Sequence, residues 1–312
     1  MSMRHLICRL ACASLLLLGA PNAYADAEAY GRLNISLERL NRTAGSQTVL
    51  SDNASRIGFI ETEQIAPALS ASVHLEMGFD GTSGAPAGNG FDRGAELVIG
   101  SPNVRLSLGR FGSSAYLAIT DVVSLHNHDT GISSDALFAH VEPLARKVGV
   151  TTNAAGWTLQ LVQWMADPMS GAIRGNAAML AYDRPGLSLA VSSGQDARRY
   201  EHSARVLWSL ANVDLAAYVE QDNNVRGHGT RVAMRGAIGW HFGQSELHLN
   251  IGQAGAYSSG LPGESGARQS TVAYNYNLSK RSKVYALVSR LRDRGGLYGN
   301  WTSTAIGLRQ NF

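Results

Sequence analysis

Acidic and basic residues cluster in and around one long polar connection, residues 112–144. The connection contains four carboxylates, which are Asp121, Asp129, Asp135 and Glu142. Arg110 precedes it, and Arg146 and Lys147 follow it. Fixed charges around a water-filled passage sort solutes by charge, and a narrowing of the passage sorts them by size. The chemistry that these residues could support is electrostatic selection, provided that the surrounding elements place them around a passage.

The same connection contains a second constellation, His126-Asn127-His128-Asp129. Two histidines and an acid at this spacing could bind zinc or copper. No ligand from a distant part of the sequence completes the set, so we interpret the histidines as surface residues. The sequence therefore predicts neither a metal nor any other cofactor.

Motifs of the common enzyme classes are absent from the sequence. There is no Gly-x-Ser-x-Gly, no phosphate-binding glycine loop and no His-Glu-x-x-His. An outer-membrane lipase or protease can also be built on a barrel, with its catalytic residues near one rim. We nevertheless predict that the protein is not an enzyme.

The elements that would position the charged residues are strands, because hydrophobic residues recur with a period of two. One face of residues 69–79 is apolar; it comprises Leu69, Ala71, Val73, Leu75, Met77 and Phe79. Arg32 and Arg56 fall on the polar face of such alternating segments. Lys147 shares that face if Val148 and Val150 meet lipid. For Arg110 and Arg146 the alternation does not decide between the polar and the apolar face, so their parity is ambiguous.

The polar faces are too polar for the core between two packed sheets, which argues against a soluble β-sandwich. A water-filled lumen accepts such residues, whereas the apolar faces would meet lipid. Short turns alternate with longer connections, the first long ones being 40–53, 80–91 and 112–144. Counting the alternating segments gives about sixteen strands. The fold class is therefore all-β, a closed antiparallel sixteen-stranded transmembrane β-barrel.

The first 25 residues are typical of a cleavable export signal. Arg4 and Arg9 precede a short apolar run, and Ala23-Tyr24-Ala25 fits the cleavage pattern. We expect a signal peptide over 1–25 and a barrel domain over 26–312. Both cysteines of the chain lie within the signal. Without it, 25 Lys and Arg stand against 24 Asp and Glu, so no nucleic-acid partner is expected.

Five segments, in order, resemble the trimeric general porins of Gram-negative outer membranes, in the branch with sixteen strands. They are Tyr30-Gly31-Arg32-Leu33-Asn34, Ser55-Arg56-Ile57-Gly58-Phe59, Leu69 to Phe79, Phe91 to Arg110, and the final hairpin from Tyr276 to Phe312. Each segment is weak alone, but their order and spacing together are specific. The resemblance covers residues 28–312.

This resemblance implies how the charged residues are arranged. In the family the third loop folds into the barrel and narrows it, so 112–144 would carry Asp121, Asp129, Asp135 and Glu142 into the lumen. The facing basic wall of the constriction would then comprise Arg32, Arg56, Arg110, Arg146 and Lys147. Phe312 is similar to the terminal aromatic that barrel-assembly machinery reads.

The resemblance also implies a function, a location and partners. We expect a passive channel for ions and small hydrophilic solutes in the cell outer membrane. The arginine-rich wall, and not the resemblance, leads us to expect a mild preference for anions. The partners implied are two further copies in a homotrimer, outer-membrane lipid and lipopolysaccharide, and the barrel-assembly machinery. A structural or adhesive barrel with a plugged lumen is the alternative, and conductance would distinguish the two.

Overall fold

Strands make up nearly all of the ordered architecture. The computed structural model describes residues 26–126, 136–144, 146–167, 171, 173–259, 266–295 and 297–312. The first strands are β1 Asp26–Arg42, β2 Gly45–Asp52, β3 Arg56–Ala66, β4 Leu69–Gly78, β5 Gly94–Gly100, β6 Val104–Arg110, β7 Arg146–Ala154, β8 Trp157–Trp164 and β9 Gly175–Arg184. The remaining ones are β10 Leu187–Asp196, β11 Tyr200–Leu210, β12 Val213–Asn223, β13 Thr230–Phe242, β14 Ser245–Ala254, β15 Ala267–Asn277, β16 Ser282–Asp293 and β17 Trp301–Asn311.

A short helical segment, Tyr116–Thr120 continued by Asp121–Val123, lies between β6 and β7. Across the described ranges, no helix is both long enough and apolar enough to cross a membrane.

The sheet closes into a barrel. From β3 onward each strand pairs antiparallel with the next, and β17 pairs with β1 over Arg32–Arg42. Closure leaves no long open edge, which a barrel in lipid requires because backbone groups there have no water to bind. The all-β, antiparallel barrel predicted from the sequence is confirmed, with sixteen positions around its circumference.

Strands β2 and β3 share one of these positions. Residues 35–42 of β1 pair with β2, whereas residues 26–32 pair with β3. Between them the chain bulges at Ala54, whose φ is +59°. Asn34 bridges the bulge, because its side-chain amide donates to the Asn53 carbonyl at 3.1 Å. Seventeen strand segments therefore form sixteen barrel positions.

The prediction of a first long connection from the sequence is wrong. Residues 40–53 do not form a polar loop, because β1 continues to Arg42 and a turn at Thr43 and Ala44 leads directly into β2. The side chains of β2 are mostly polar and exposed, so the segment has the composition of a loop. Pairing with β1 supplies the backbone hydrogen bonds that composition alone does not reveal.

Residues alternate between a buried inner face and an exposed outer face. On β17, Ile306 and Leu308 are 61% and 52% exposed, whereas Arg309 is 9% exposed. The same period marks β13, whose buried set includes Arg231 and Arg235. The exposed face is apolar and the buried face is polar, the reverse of a soluble protein, so the outer face suits lipid.

Aromatic side chains gather on the outer face near the short-turn end of the barrel. Trp157 packs on Tyr182 with ring centroids 4.7 Å apart, and Trp240 packs on Phe242 at the same distance. Rings with a polar edge favour the membrane–water interface. The pairs indicate where one boundary of the bilayer meets the barrel.

Candidate functional site: the barrel lumen

The described residues between β6 and β7, 111–126 and 136–144, enter the barrel; we call the segment 111–145 the inserted loop. Its side chains Ala115, Ile119, Val123 and Phe138 are buried against inward-facing residues of the wall. Those wall residues are Met179, Ala181, Ala190, Ala216, Tyr218 and Ala237. Small wall residues leave room for the loop, and burial of its apolar side chains holds it against β9–β13.

Two glutamates on the wall bind the backbone of the inserted loop. The Glu220 carboxylate accepts a hydrogen bond from the Ala139 N–H at 2.9 Å. The Glu201 carboxylate accepts one from the Val141 N–H. These carboxylates satisfy backbone donors that would otherwise be buried without partners. They fix residues 139–141 to β11 and β12.

Arginines of the wall and of the β12–β13 connection bind carbonyl groups of the same loop. Arg231 donates to the Leu137 carbonyl at 2.7 Å, and Arg226 donates to the Phe138 carbonyl at 3.0 Å. Arg205 donates to the Ala118 carbonyl. Because both donors and acceptors of the loop are satisfied by the wall, the loop has a defined position in the lumen.

Among the described histidines of the inserted loop, His126 is buried, whereas His140 is exposed. His126 lies 3.0 Å from Asn250, Nδ1 to Nδ2, and its ring stacks near that of His248. The interpretation of His126 as a surface residue is therefore wrong. Asn127, His128 and Asp129 lie outside the described residues, within which no group of metal-binding side chains occurs.

Glu142 and Lys147, predicted on opposite sides of the passage, contact each other. Lys147 Nζ lies 2.6 Å from Glu142 Oε1, and both side chains are fully buried. Glu142 also accepts the Ser114 N–H at 2.9 Å, and Lys147 donates to the Gly112 carbonyl at 3.2 Å. The pair therefore ties the two ends of the inserted loop together beside β7.

Of the other three acidic residues predicted on the loop, one lies within the described residues. Asp121 begins the second part of the helical segment and is half-buried. Asp129 and Asp135 lie outside the described residues. Within the described part of the loop, Asp121 is the predicted acid that does not hold Lys147.

Arg32 and Arg56 lie side by side on the inner face, as their parity predicts. They are directly opposite each other on β1 and β3. Arg309 and Lys283 continue the same stretch of wall, directly opposite each other on β17 and β16. We call Arg56, Arg32, Arg309 and Lys283 the basic row. Four cations thus lie on four adjacent strands.

Two acids flank the basic row. Glu76 lies 3.5 Å from Arg56, accepts the Tyr30 hydroxyl at 2.7 Å and contacts Arg93 at 2.7 Å. Glu246 lies 3.7 Å from Lys283, and its oxygens also accept amide hydrogens of Asn275 and Asn277. These contacts partly neutralise both acids, and the basic row keeps an excess of positive charge.

Sequence reasoning missed Arg309 and Lys283 as members of the wall. The signal was available, because Arg309 alternates with Ile306 and Leu308 in the final strand. However, only closure of the barrel brings the last strand next to the first. The hydrogen bond from Arg32 to Asn311 joins residues 279 positions apart, and a local sequence pattern does not reveal such a contact.

Two residues predicted for the basic wall lie elsewhere. Arg146 is exposed, on the face of β7 opposite to Lys147, so strand parity does not support a place in the lumen. Arg110 is half-buried at the end of β6, where its Nε donates to the Asp92 carbonyl at 2.6 Å. Gly109, with a φ of +130°, interrupts the regular alternation just before it.

A family model described as Gram-negative porin matches residues 11–296. The chain belongs to this family. The porin resembles solved structures over 92% of its length. An anion-selective porin from Comamonas acidovorans superposes with a TM-score of 0.79 at 18% identity and is covered completely. No curated protein sequence gives a significant match.

Further solved porins share the architecture. The OmpF of Salmonella typhi, in complex with daunomycin, gives a TM-score of 0.73 at 13% identity, with 97% of its chain covered. The trimer form of the outer-membrane protein OmpT of Vibrio cholerae gives 0.72 at 10% identity, with 99% covered. At these identities the likeness concerns the fold.

Membership of the family places the porin in the Gram-negative outer membrane, where its barrel is a channel. The longer connections then face the exterior and the short turns face the periplasm. The basic row and the inserted loop both lie inside this channel.

Proposed function

We propose that the porin is a passive channel for ions and small hydrophilic solutes with a preference for anions. The observation that carries the proposal is the basic row. Its four cations share one stretch of the inner wall, and Glu142, one of the two predicted loop acids that the structure describes, is neutralised by Lys147. This stretch of the wall, with Glu76 and Glu246 flanking it, is therefore predominantly positive.

The geometry of the inserted loop supports this proposal. The polar anchors described above come from β7 and β11–β14, whereas the basic row lies on β16, β17, β1 and β3. A solute that passes between them meets arginine side chains on one side. Fixed positive charge in a narrow pore raises the local concentration of anions and lowers that of cations. No chemical step is required of any residue.

The solved structure from Comamonas acidovorans, described as anion-selective, is in line with this proposal. Its likeness to this porin concerns the fold, so the selectivity rests on the residues of this chain. Of the constriction predicted from the sequence, we retain Arg32, Arg56 and Asp121.

Neutralising part of the basic row tests the proposal. The double variant Arg32→Gln/Arg309→Gln should move the reversal potential in a salt gradient toward cations. Arg146→Gln/Arg184→Gln is the matched control, because it removes two charges from the outer face. Equal shifts in both variants would show that overall charge, and not the basic row, sets the selectivity.

We further propose that three copies assemble as a homotrimer. The trimer form of the Vibrio cholerae protein supports this, as does the apolar outer face. Sedimentation in detergent of the mature chain should give three copies per particle. A monomer that still conducts would contradict the trimer and leave the channel intact.

Export and insertion belong to the same proposal. Residues 1–25 would be removed after Ala25, and Phe312 would be read by the barrel-assembly machinery before the barrel enters a membrane containing lipopolysaccharide. Intact mass measurement of the protein from outer membranes tests the first step. A chain that begins at Asp26 is expected, and a retained leader would contradict it.

A further inference from the structure

The outer face of the barrel carries a groove of about 1080 Å³ across β11–β16; we call it the outer groove. Its lining includes three consecutive residues from each of several strands, such as 217–219 and 268–270. In each triplet the first and third side chains point outward and the middle one points inward. Two outward side chains thus flank exposed backbone, and the groove is a depression in the lipid-facing surface.

Small outward residues create the depression. Ala204, Ala217 and Gly236 face outward on β11, β12 and β13, and a Cβ atom at Gly236 would meet no atom within 4 Å. Ala217 is directly opposite Gly236, which is directly opposite Ile251. This part of the groove is apolar, with the exposed side chains of Val206, Val219, Met234 and Ile251 along it.

Three arginines line the other end of the outer groove. Arg268 and Arg292 are directly opposite each other on β15 and β16, and Arg290 lies two residues from Arg292 on the same face. All three side chains are exposed. Like charges directly opposite each other destabilise a strand pair. Among the residues that the structure describes, no hydrogen bond or ion pair joins these arginines to an acid.

The two ends of the outer groove lie at different depths. Arg268 and Arg292 are each one residue from the long-connection end of their strands, whereas Gly236 is six residues from the start of β13. The long connections face the exterior, so the arginines lie at the outer boundary of the bilayer and the apolar end lies deeper. An outward arginine costs little near the interface and considerably more at the midplane.

The outer groove thus has a basic end at the bilayer boundary and an apolar end deeper in the bilayer, which matches the headgroup and acyl chain of a membrane lipid. A guanidinium binds a phosphate through two parallel hydrogen bonds, and neighbouring arginines would share its charge. An acyl chain extending inward from the headgroup would follow the apolar end. A second copy of the chain would need carboxylates at this depth, and the outward side chains near the long-connection ends of the described strands, such as Gln221, Gln253 and Thr302, include none.

We propose that the outer groove binds a phosphate-bearing membrane lipid, with the phosphate at Arg268, Arg290 and Arg292 and an acyl chain along Gly236 and Ile251. The inference gives the proposed lipid partner a site, and it depends on the outer-membrane location and not on ion selectivity. Bound lipid removes the repulsion between Arg268 and Arg292.

Native mass spectrometry of the full mature chain in non-ionic detergent tests the site. The probe is dioleoylphosphatidic acid, compared with dioleoylglycerol, which has the same chains without the phosphate. Phosphatidic acid should bind in preference. Arg268→Gln/Arg292→Gln should weaken its binding roughly thirty-fold, since each surface arginine contributes roughly five- to sixfold. The charge-matched control Arg146→Gln/Arg184→Gln should bind as the wild type does.

A second variant fills the apolar end and keeps the arginines. Gly236→Leu should fold, because the site of its side chain is open, and should also weaken phosphatidic acid binding. Ala178→Leu, on the exposed face of β9, is its control. Loss of binding in both arginine and Gly236→Leu variants, with both controls unaffected, supports the lipid site.

Several results would overturn the inference. Equal binding of dioleoylglycerol would remove the role of the phosphate. Competition by inorganic phosphate at equal concentration would reduce the site to one for small anions. Loss of the oligomer in Arg268→Gln/Arg292→Gln, with phosphatidic acid binding unchanged, would assign the face to contact between copies. Reversal potentials should be unchanged in these variants, so the outcome is independent of the proposed selectivity.

Discussion

Glu220 on β12 accepts a hydrogen bond from the backbone N–H of Ala139 at 2.9 Å, so an inward carboxylate of the wall holds the inserted loop by its main chain. The neighbouring Glu201 does the same for Val141. Contacts to backbone depend little on the loop's own sequence. The position of the loop is therefore specified largely by the strands.

Loss of the Glu220 carboxylate should loosen the inserted loop. Glu220→Ala leaves the buried Ala139 N–H without its acceptor, which costs about 1–3 kcal/mol. We expect larger and noisier single-channel conductance in a planar bilayer. Glu220→Gln keeps an acceptor oxygen and should stay close to the wild type. Identical current records for Glu220→Ala and the wild type would show that the hydrogen bond does not hold the loop.

Separating Glu142 from Lys147 should be costly, because both side chains are fully buried. Glu142→Gln or Lys147→Met alone leaves one buried charge uncompensated, with an expected loss of about 3–5 kcal/mol in the free energy of unfolding. The double variant should recover much of that loss. Urea unfolding of the protein in lipid vesicles gives the coupling through a double-mutant cycle. Additive losses would argue against a direct pair.

The terminal aromatic ring packs on the first strand. Phe312 exchanges two backbone hydrogen bonds with Gly31, at 2.9 and 3.1 Å. A Cβ atom at Gly31 would lie 2.3 Å from the Phe312 ring and 2.9 Å from the Arg56 carbonyl. Gly31→Val should therefore displace the ring and hinder closure. Heat-modifiable migration on a detergent gel should show less folded barrel.

Phe312→Ala separates closure from recognition. It removes the ring and keeps the backbone pairing with Gly31, so folding of the purified chain into detergent should be nearly normal. Insertion in cells should fall if the assembly machinery reads the ring. Normal insertion of Phe312→Ala in cells would remove Phe312 as the assembly signal.

The strands were predictable because lipid on one side and water on the other impose a period of two. Alternation in the sequence predicts strands at 175–182, 213–222 and 245–255, and the observed bounds of β9, β12 and β14 lie within two residues of these. Thr43 and Ala44 carry no strong turn signal, and the polar residues of β2 resemble a loop. That hairpin was therefore missed, although the barrel was not.

The lumen was predictable only in part. Parity placed Arg32 and Arg56 on the inner face, since parity is a local property of a strand. The pairing of Glu142 with Lys147 depends on how the inserted loop folds back, and the closeness of Arg309 to Arg32 depends on closure. Such relationships arise from long-range packing, which no local pattern encodes.

The reversal potential of the wild-type porin in a planar bilayer, under a tenfold potassium chloride gradient, tests the central claim most directly. Potassium and chloride have nearly equal mobilities in water, so the sign reports the fixed charge of the pore. We predict a conducting pore whose reversal potential has the sign of chloride preference. A potential with the sign of potassium preference would contradict the role of the basic row, and absence of conductance would contradict the channel itself.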